Sequence, residues 1–388
     1  MPAFRDVVAA LERRYDPAWA QPWDAVGLVC GDPDAAVRGV LFAVDPVAEV
    51  AQEARDTGAN LIVTHHPLLL RGVHSVAETD AKGRLVAGLI RAGIGLYVAH
   101  TNADVADPGV SDALGAAVGL TDLEPLAPAA PELLDKVVTF VPVEAAEPVL
   151  DALAAAGAGR IGNYSRCAWT APGTGTFLPG ADAQPTVGSP GRIETVAETR
   201  IEMVLPRRRR AAVVAALLAA HPYEEPAYDV FELALPPGPR GLGRIGMLPD
   251  PEPLARFVDR VAAALPATAG GIRAAGRANA PIRRVAVCGG SGDSLFEAAR
   301  AAGADVYLTA DLRHHPVSEQ REEGGLALVD AAHWATEWPW LPVAAHALQA
   351  DLAAGGPTTV EVAVSTRRTD PWRLHAAAPN WQEDTTTS

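Results

Sequence analysis

The chain has 388 residues, 49 % hydrophobic and 20 % charged, which excludes disordered and collagen-like classes and is long enough for two or three domains. Its 47 acidic residues against 32 Lys and Arg leave a net charge of −15, a field that repels polyphosphate and weighs against nucleic acid as a partner. No apolar run free of charge, Pro and Gly reaches the ~18–20 residues of a membrane span, and charges interrupt the N-terminal stretch where a signal peptide would be apolar. Cys30, Cys167 and Cys288 are far apart with no metal-knuckle spacing, so they read as reduced thiols. The expectation is a cytoplasmic protein with no membrane association.

In chain order, residues 3–15 have the apolar spacing of an amphipathic helix. Strands are expected over 39–45, 60–64 and 94–100, with helices between them ending at Gly58 and Gly93. Short apolar strands separated by helices argue for a parallel sheet covered on both faces. The same grammar returns late in the chain: strands over 283–288, 304–309 and 326–330, a helix over 294–303 with Ser294 and Glu297 spaced for a capping box, and a helical region from 335 onward. The middle differs. A strand over 136–142, a helix, a strand near 163–169, a strand over 198–206, a second helix and a strand over 227–235 give the order β-α-β-β-α-β, the ferredoxin-like arrangement. A Gly/Pro-rich stretch over 171–191 reads as a connection. The fold class is therefore α/β: a discontinuous core (1–132 and 237–388) whose sheet is covered by helices, interrupted by a ferredoxin-like inserted domain over 133–236.

Three strands, distant in sequence, end in metal-binding side chains. Thr64-His65-His66-Pro67 follows the second, His100-Thr101-Asn102-Ala103-Asp104 the third, and Asp330 leads to His333 and Glu337, four apart and so on one helix face. Each alone is ordinary: loop histidines, a turn, a chance i,i+4 pair. Together they place three imidazoles and two carboxylates at strand C-termini, where open α/β sheets bind ligands. A mixed His/carboxylate set suits first-row divalent metals such as Zn, Fe or Mn, and five ligands exceed the needs of one tetrahedral ion. Gly241–Gly246 spells GxGxxG beside a Pro-rich joint and reads as a hinge. Gly289–Gly292 fits either a phosphate cradle or a tight strand-to-helix turn. Arg207–Arg210 reads as a solvated helix start, His221–Pro226 as a rigid turn, a trimer contact or a ligand loop, and His314-His315 as a surface pair or support for a metal.

In combination, WDAVGLVCGD (23–32), VTHHPLLL (63–70), AHTNADVADPGVSDALG (99–115), VAVCGGSG (285–292), DVYLTADLRHH (305–315), DAAHWATE (330–337) and STRRTDPW (365–372) resemble the GTP cyclohydrolase 1 type 2 homologue family, the Nif-three-like dinuclear-metal-centre proteins. HPYEEPAYDVFEL (221–233) resembles the insert of the longer bacterial members, which is similar to the PII- and CutA-type trimeric fold. The resemblance implies two divalent ions per chain held by His65, His66, Asp104, His333 and Glu337, with Glu337 bridging and Asp104 on one ion. It also implies a homohexameric toroid with the sites facing an inner cavity. The sequence departs from the family pattern at Ala25 and Ser111, where Asn is usual, and at Ala310 and Ala332, where Gly is usual; none of these is an expected ligand.

Three functions fit these residues. The first is a metal-dependent hydrolase acting on a nucleotide or another small molecule, with His100 or His315 as the catalytic proton carrier. The second is a metal-handling or regulatory binding protein with a ligand-sensing insert and no catalysis. The third is a scaffold in which metal only holds the core together.

Overall fold

The computed structural model describes residues 1–130, 133–234, 238–354 and 359–376. Two compact units divide the chain: Met1–Ala129 with Pro239–Ser388, and Ala130–Gly238. The junctions expected at 132 and 236–237 lie outside the described residues.

The first unit begins with α1 (Phe4–Arg14), β1 (Gly27–Cys30), β2 (Gly39–Ala43), α2 (Ala48–Thr57), β3 (Leu61–Thr64), α3 (Ala81–Ala92), β4 (Gly95–Val98), α4 (Thr101–Val105), α5 (Val110–Ala117) and β5 (Thr121–Pro128). Gly58 and Gly93 stop α2 and α3 with left-handed φ of +76° and +63°, the cap that a residue without a Cβ adopts freely. The second unit contains β6 (Leu134–Pro142), α6 (Ala146–Ala155), β7 (Trp169–Phe177), β8 (Glu194–Pro206), α7 (Arg210–Ala220) and β9 (Tyr228–Glu232). The chain then returns to the first unit with β10 (Gly241–Pro253), α8 (Leu254–Ala264), β11 (Arg273–Ala275), β12 (Pro281–Ser291), α9 (Phe296–Ala301), β13 (Val306–Ala310), α10 (His314–Glu323), β14 (Ala327–Ala331), α11 (His333–Glu337), α12 (Trp340–Ala354) and β15 (Glu361–Val364).

The first unit holds two sheets. One has the order β1-β4-β3-β2-β15 and is parallel except for β1; the other has the order β11-β14-β13-β12-β10-β5, with β12, β13 and β14 parallel and the rest antiparallel. The parallel centres are the strands that read as continuous apolar runs, and they are buried along their length. The main core lies between the sheets, where Phe42, Val63 and Tyr97 of one and Val287, Leu308 and Val329 of the other share a cluster with Leu11, Leu114 and Trp340 from α1, α5 and α12. The far face of the first sheet is covered by α2 and α3 through Val50, Ala54, Val86 and Leu89, and that of the second by Phe296 and Ala299 of α9. The α/β core with helix-covered sheets is therefore present. Among the described residues no helix is long and apolar enough to cross a membrane.

In the second unit the sheet order is β7-β8-β6-β9, all antiparallel, which with α6 and α7 is a ferredoxin-like domain. Arg207 and Arg210 are tied to the buried Asp135 at 3.0 and 2.7 Å, so that part of the arginine run anchors a helix start.

Three local expectations are corrected. The GxGxxG segment is not a hinge: Gly241–Pro253 is a strand lying between β12 and β5. Its charge misleads, because Arg244 is buried and fully engaged. The second strand of the insert is not at 163–169 but at Trp169–Phe177, inside the Gly/Pro-rich stretch; Pro172 is tolerated because β7 is an edge strand pairing only with β8. The capping box at Ser294 does not form. A 3-10 turn over Asp293–Leu295 comes first, and α9 starts at Phe296 without a side-chain cap.

Candidate metal centre

The C-terminal ends of β2, β3 and β4 in one sheet and of β12, β13 and β14 in the other lead to a single cluster. His65 and His66 leave β3 directly. His65 is fully buried, and its Nδ1–H donates to the Ala99 carbonyl at 3.0 Å. Nε2 is then the free nitrogen, 3.4 Å from Glu337 Oε1 and 3.6 Å from Asp104 Oδ1. His66 points the same way: Asp45, just past β2, holds its Nδ1 at 2.7 Å, leaving Nε2 3.0 Å from Glu337 Oε2 and 3.2 Å from His333 Nε2. His333 opens α11 after β14. Asp311, just past β13, holds its Nδ1 at 2.7 Å, and its Nε2 lies 2.9 Å from Glu337 Oε1, one helical turn along. His100 sits beside them with its Nδ1 on Asp24 Oδ1 at 2.8 Å and its ring centre 5.2 Å from that of His65. Asp24 is itself fixed by the Thr101 N–H at 3.0 Å and by the Thr101 hydroxyl.

His65, His66 and His333 thus each spend Nδ1 on a carbonyl or carboxylate and turn Nε2 toward Glu337, the orientation a metal-binding histidine needs. Glu337 is the hub. Burial alone would raise its carboxyl, but the imidazoles of His66, His65 and His333 outweigh burial and hold it well below the usual carboxylate range. In return, burial lowers His66 and His333, but Glu337 together with Asp45 lifts His66 to about 10, and Glu337 together with Asp311 lifts His333 to about 11. All three imidazoles facing Glu337 are thereby pushed toward their protonated form.

Two buried atoms have no hydrogen-bond partner here, His65 Nε2 and Glu337 Oε2. Their closest partners are groups of the same cluster, His66 Nε2 for Glu337 Oε2 and Glu337 Oε1 for His65 Nε2, and a divalent cation would satisfy a lone pair of each. Two ligand groups have donor atoms within 4.8 Å of one another: His65 with His66 and His100, and His66 with His333 and Glu337. The donor set therefore fits a first-row divalent ion. Asp104 approaches from α4 on the His65 side.

Gly290 makes room for the hub. Its φ is +68°, and a Cβ there would lie 2.6 Å from Glu337 Oε1 and 3.1 Å from His333 Nε2. The Gly289–Gly292 segment thus lies against the cluster, and as the expected strand-to-helix turn it ends at Gly292, which caps the 3-10 turn leading into α9. Gly290→Ala is expected to displace Glu337 and lower metal affinity by about tenfold or more, the scale of a disturbed ligand support; metal titration of the purified variant checks it. Ser111 accepts the neighbouring Gly289 N–H at 3.3 Å.

His315 is not brought to the cluster. It is exposed on α10 with its ring against His314. A cavity of about 780 Å³ opens onto the site, lined by His66, His100 and His333 and further out by Arg273, Asp370 and Trp372. Sequence reading missed Asp24, Asp45 and Asp311, the carboxylates behind the histidines. Asp45 and Asp311 carried the available signal, since each follows a buried strand at the same edge as the ligands.

The sequence profile of the family Duf34/NIF3 (NGG1p interacting factor 3) matches residues 2–371, which includes every residue of the cluster. The chain belongs to this family. Among its NIF3-family relatives, the protein named GTP cyclohydrolase 1 type 2 homolog of Mycobacterium leprae is 53 % identical over 378 residues, covering 97 % of this chain and 96 % of that protein. The Bacillus subtilis protein of the same name is 38 % identical, covering 85 % and 88 %. The crystal structure of a Bacillus cereus protein related to NIF3 superposes with a TM-score of 0.75 at 38 % identity, covering 96 % of this chain and 99 % of that one. NIF3-family membership thus extends over both parts of the core and the insert.

Proposed function

We propose that this chain holds two divalent metal ions, of Zn, Fe or Mn, through His65, His66, Asp104, His333 and Glu337, and acts as a hydrolase on a nucleotide or another small molecule. The observation that carries this reading is the convergence of three Nδ1-anchored imidazoles on one buried carboxylate. Bound there, such ions would polarise a substrate oxygen and lower the pKa of water toward neutrality. Glu337, with one oxygen near His65 and His333 and the other near His66, would be the ligand shared between the ions. Asp45 and Asp311 hold the rings of His66 and His333, and Thr369 steadies Asp45. His100, backed by Asp24, is the imidazole placed to carry a proton at Nε2. Trp372 on the cavity wall would offer a substrate an aromatic face, beside an Arg273 that is paired with Asp330. From the family we further propose self-association as a homohexamer, which light scattering tests, and a cytoplasmic location, with which the free Cys30, Cys167 and Cys288 agree.

Protein purified anaerobically without chelator, shown by mass spectrometry to carry metal, is to be screened against GTP, cyclic nucleotides and phosphoesters under Mn, Fe and Zn loading. Turnover that disappears on chelation and returns with metal supports the reading. An occupied site with no turnover overturns the hydrolase and leaves a metal-binding protein.

Metal uptake is also expected to release protons. With pKa values raised to about 10 and about 11, His66 and His333 are expected to share at least one extra proton near pH 7, and both must be neutral to bind a metal. Apparent affinity should therefore rise with pH, with about one to two protons released per site near neutrality, and should level off above the raised pKa values. Calorimetry of metal binding in buffers of different ionisation enthalpy measures the release; heats independent of buffer contradict it.

A further inference from the structure

The second unit contains a site of its own, independent of the metal centre. Along β8, Ile201, Met203 and Leu205 face a core shared with Val149 and Leu153 of α6 and Val213 and Leu217 of α7. Glu198 and Arg200 alternate with them and face the opposite side of the sheet, away from both helices. There β7 lies opposite them with Ala171, Gly173 and Gly175 on one face, so almost no side-chain volume fills the space. The result is a cavity of about 820 Å³, within the roughly 300–1,000 Å³ range of small-molecule sites.

Its cover is fastened. The Glu224 carboxylate accepts the Gln184 N–H at 3.0 Å, and the Thr186 hydroxyl donates to the Pro222 carbonyl at 2.6 Å. His221 uses both ring nitrogens, Nε2–H to the Phe140 carbonyl at 3.0 Å and Nδ1 to the Tyr223 N–H at 3.1 Å, which fixes the turn of the HPYEEP motif. This places Tyr223 across the cavity from β7, its ring centre 6.1 Å from that of Phe177.

The charge inside is net negative, four carboxylates against the single cation Arg200 among the lining residues. Glu198 is only 8 % exposed. Its Oε1 accepts the Tyr223 hydroxyl at 2.8 Å, and among the described residues its Oε2 accepts no hydrogen bond. A Cβ on Gly175 would come within 2.1 Å of that oxygen, so the glycine preserves its place. Arg200 does not neutralise it: Arg200 Nε donates to Glu202 at 2.9 Å, and its guanidinium stacks over Phe140 at 5.4 Å. Asp182, Glu224 and Glu225 add further negative charge to the lining.

We infer that this cavity binds a small organic cation, an amidinium, guanidinium or ammonium on an apolar body. The charge rests on Glu198 Oε2, and the body lies against the rings of Phe177 and Tyr223. A carboxylate with a free oxygen forms charge-assisted hydrogen bonds to N–H donors, and aromatic faces attract a cation beside them. Anionic ligands would meet Glu198 and the acidic lining, and neutral ones would leave its charge buried and unpaired.

The test is calorimetric titration of the full chain with benzamidinium and spermidine, with benzamide as the neutral analogue of the first. At least one cation is expected to bind saturably, with benzamidinium preferred over benzamide by about tenfold or more. Glu198→Gln, nearly the same shape, should abolish the preference. Tyr223→Phe keeps the ring and frees Oε1, so it should retain the preference. The proposal is overturned if neither cation binds saturably, if benzamide binds as well as benzamidinium, or if the preference survives in Glu198→Gln. Binding at the metal centre would give that last result, which separates this site from the metal reading.

Discussion

Glu337→Gln is expected to lower divalent metal affinity by at least about 100-fold, more than loss of any carboxylate that only supports a ligand, which costs about 10–100-fold. The carboxylate lies within 3.4 Å of three imidazole nitrogens, and it is 2 % exposed. A glutamine offers one neutral oxygen where two charged ones served. The metal-free variant should also lose stability. His66 and His333 are pushed toward protonation near neutrality chiefly because Glu337 faces them, and a buried charge that loses its partner costs about 3–5 kcal/mol, less whatever is recovered by giving up the proton. The sign follows from the shift. A histidine whose folded pKa is raised contributes stability below its ordinary value of about 6.5 and loses it as pH rises through the raised one. The metal-free chain should therefore weaken progressively between about pH 6.5 and 11, and Glu337→Gln should flatten that dependence. Metal per chain by mass spectrometry and melting profiles across pH measure both. Asp311→Asn is the comparison, since Asp311 is exposed and its hydrogen bond to the cluster is to His333 Nδ1 rather than to a position facing Glu337. If Asp311→Asn costs more metal than Glu337→Gln, the hub is misassigned.

The residues of this site were legible to unequal degrees. His65, His66, His333 and Glu337 could be found because each lies within a few residues of a buried apolar strand. An apolar strand has no local reason to end in imidazole. Asp45 and Asp311 occupy the same kind of position, but a single aspartate after a strand is an ordinary turn residue. Only the fold shows that each reaches a histidine on a different element, Asp45 to His66 and Asp311 to His333. Asp24 meets His100 across 76 positions, a pairing that no local pattern encodes. The same division holds in the fold. The parallel strands declare themselves because both faces are buried. The edge strand β7 is half-exposed and carries Pro172, Gly173 and Gly175, so by composition it resembles a loop.

Arg244 shows the reverse case, a residue whose sequence context misleads and whose substitution should be severe. Set between glycines beside a Pro-rich joint, it looks like an exposed charge in a flexible connection. In the structure it is 1 % exposed, with Nε donating to Asp112 at 2.8 Å, Nη1 to the carbonyls of Gly241 and Gly243 at 2.7 and 2.9 Å, and Nη2 to the Ala106 carbonyl at 2.6 Å. One side chain thereby joins β10, the start of α5 and the loop that follows α4. Arg244→Met keeps the stem and deletes the guanidinium. Asp112 is then left without its cation and three carbonyls without their donor. The expected loss is about 3–5 kcal/mol, the cost of breaking a buried ion pair from one side, read from urea midpoints. Adding Asp112→Asn should recover part of it, because the second change removes the orphaned charge while its side chain can still accept the Gly109 N–H that Asp112 Oδ2 accepts at 2.7 Å. Metal content of the folded fraction should change little, since Arg244 touches none of the five proposed ligands. A hinge arginine would behave otherwise: exposed substitutions fall within about 0.5 kcal/mol, so a loss that small would mean that the guanidinium is not held in this network.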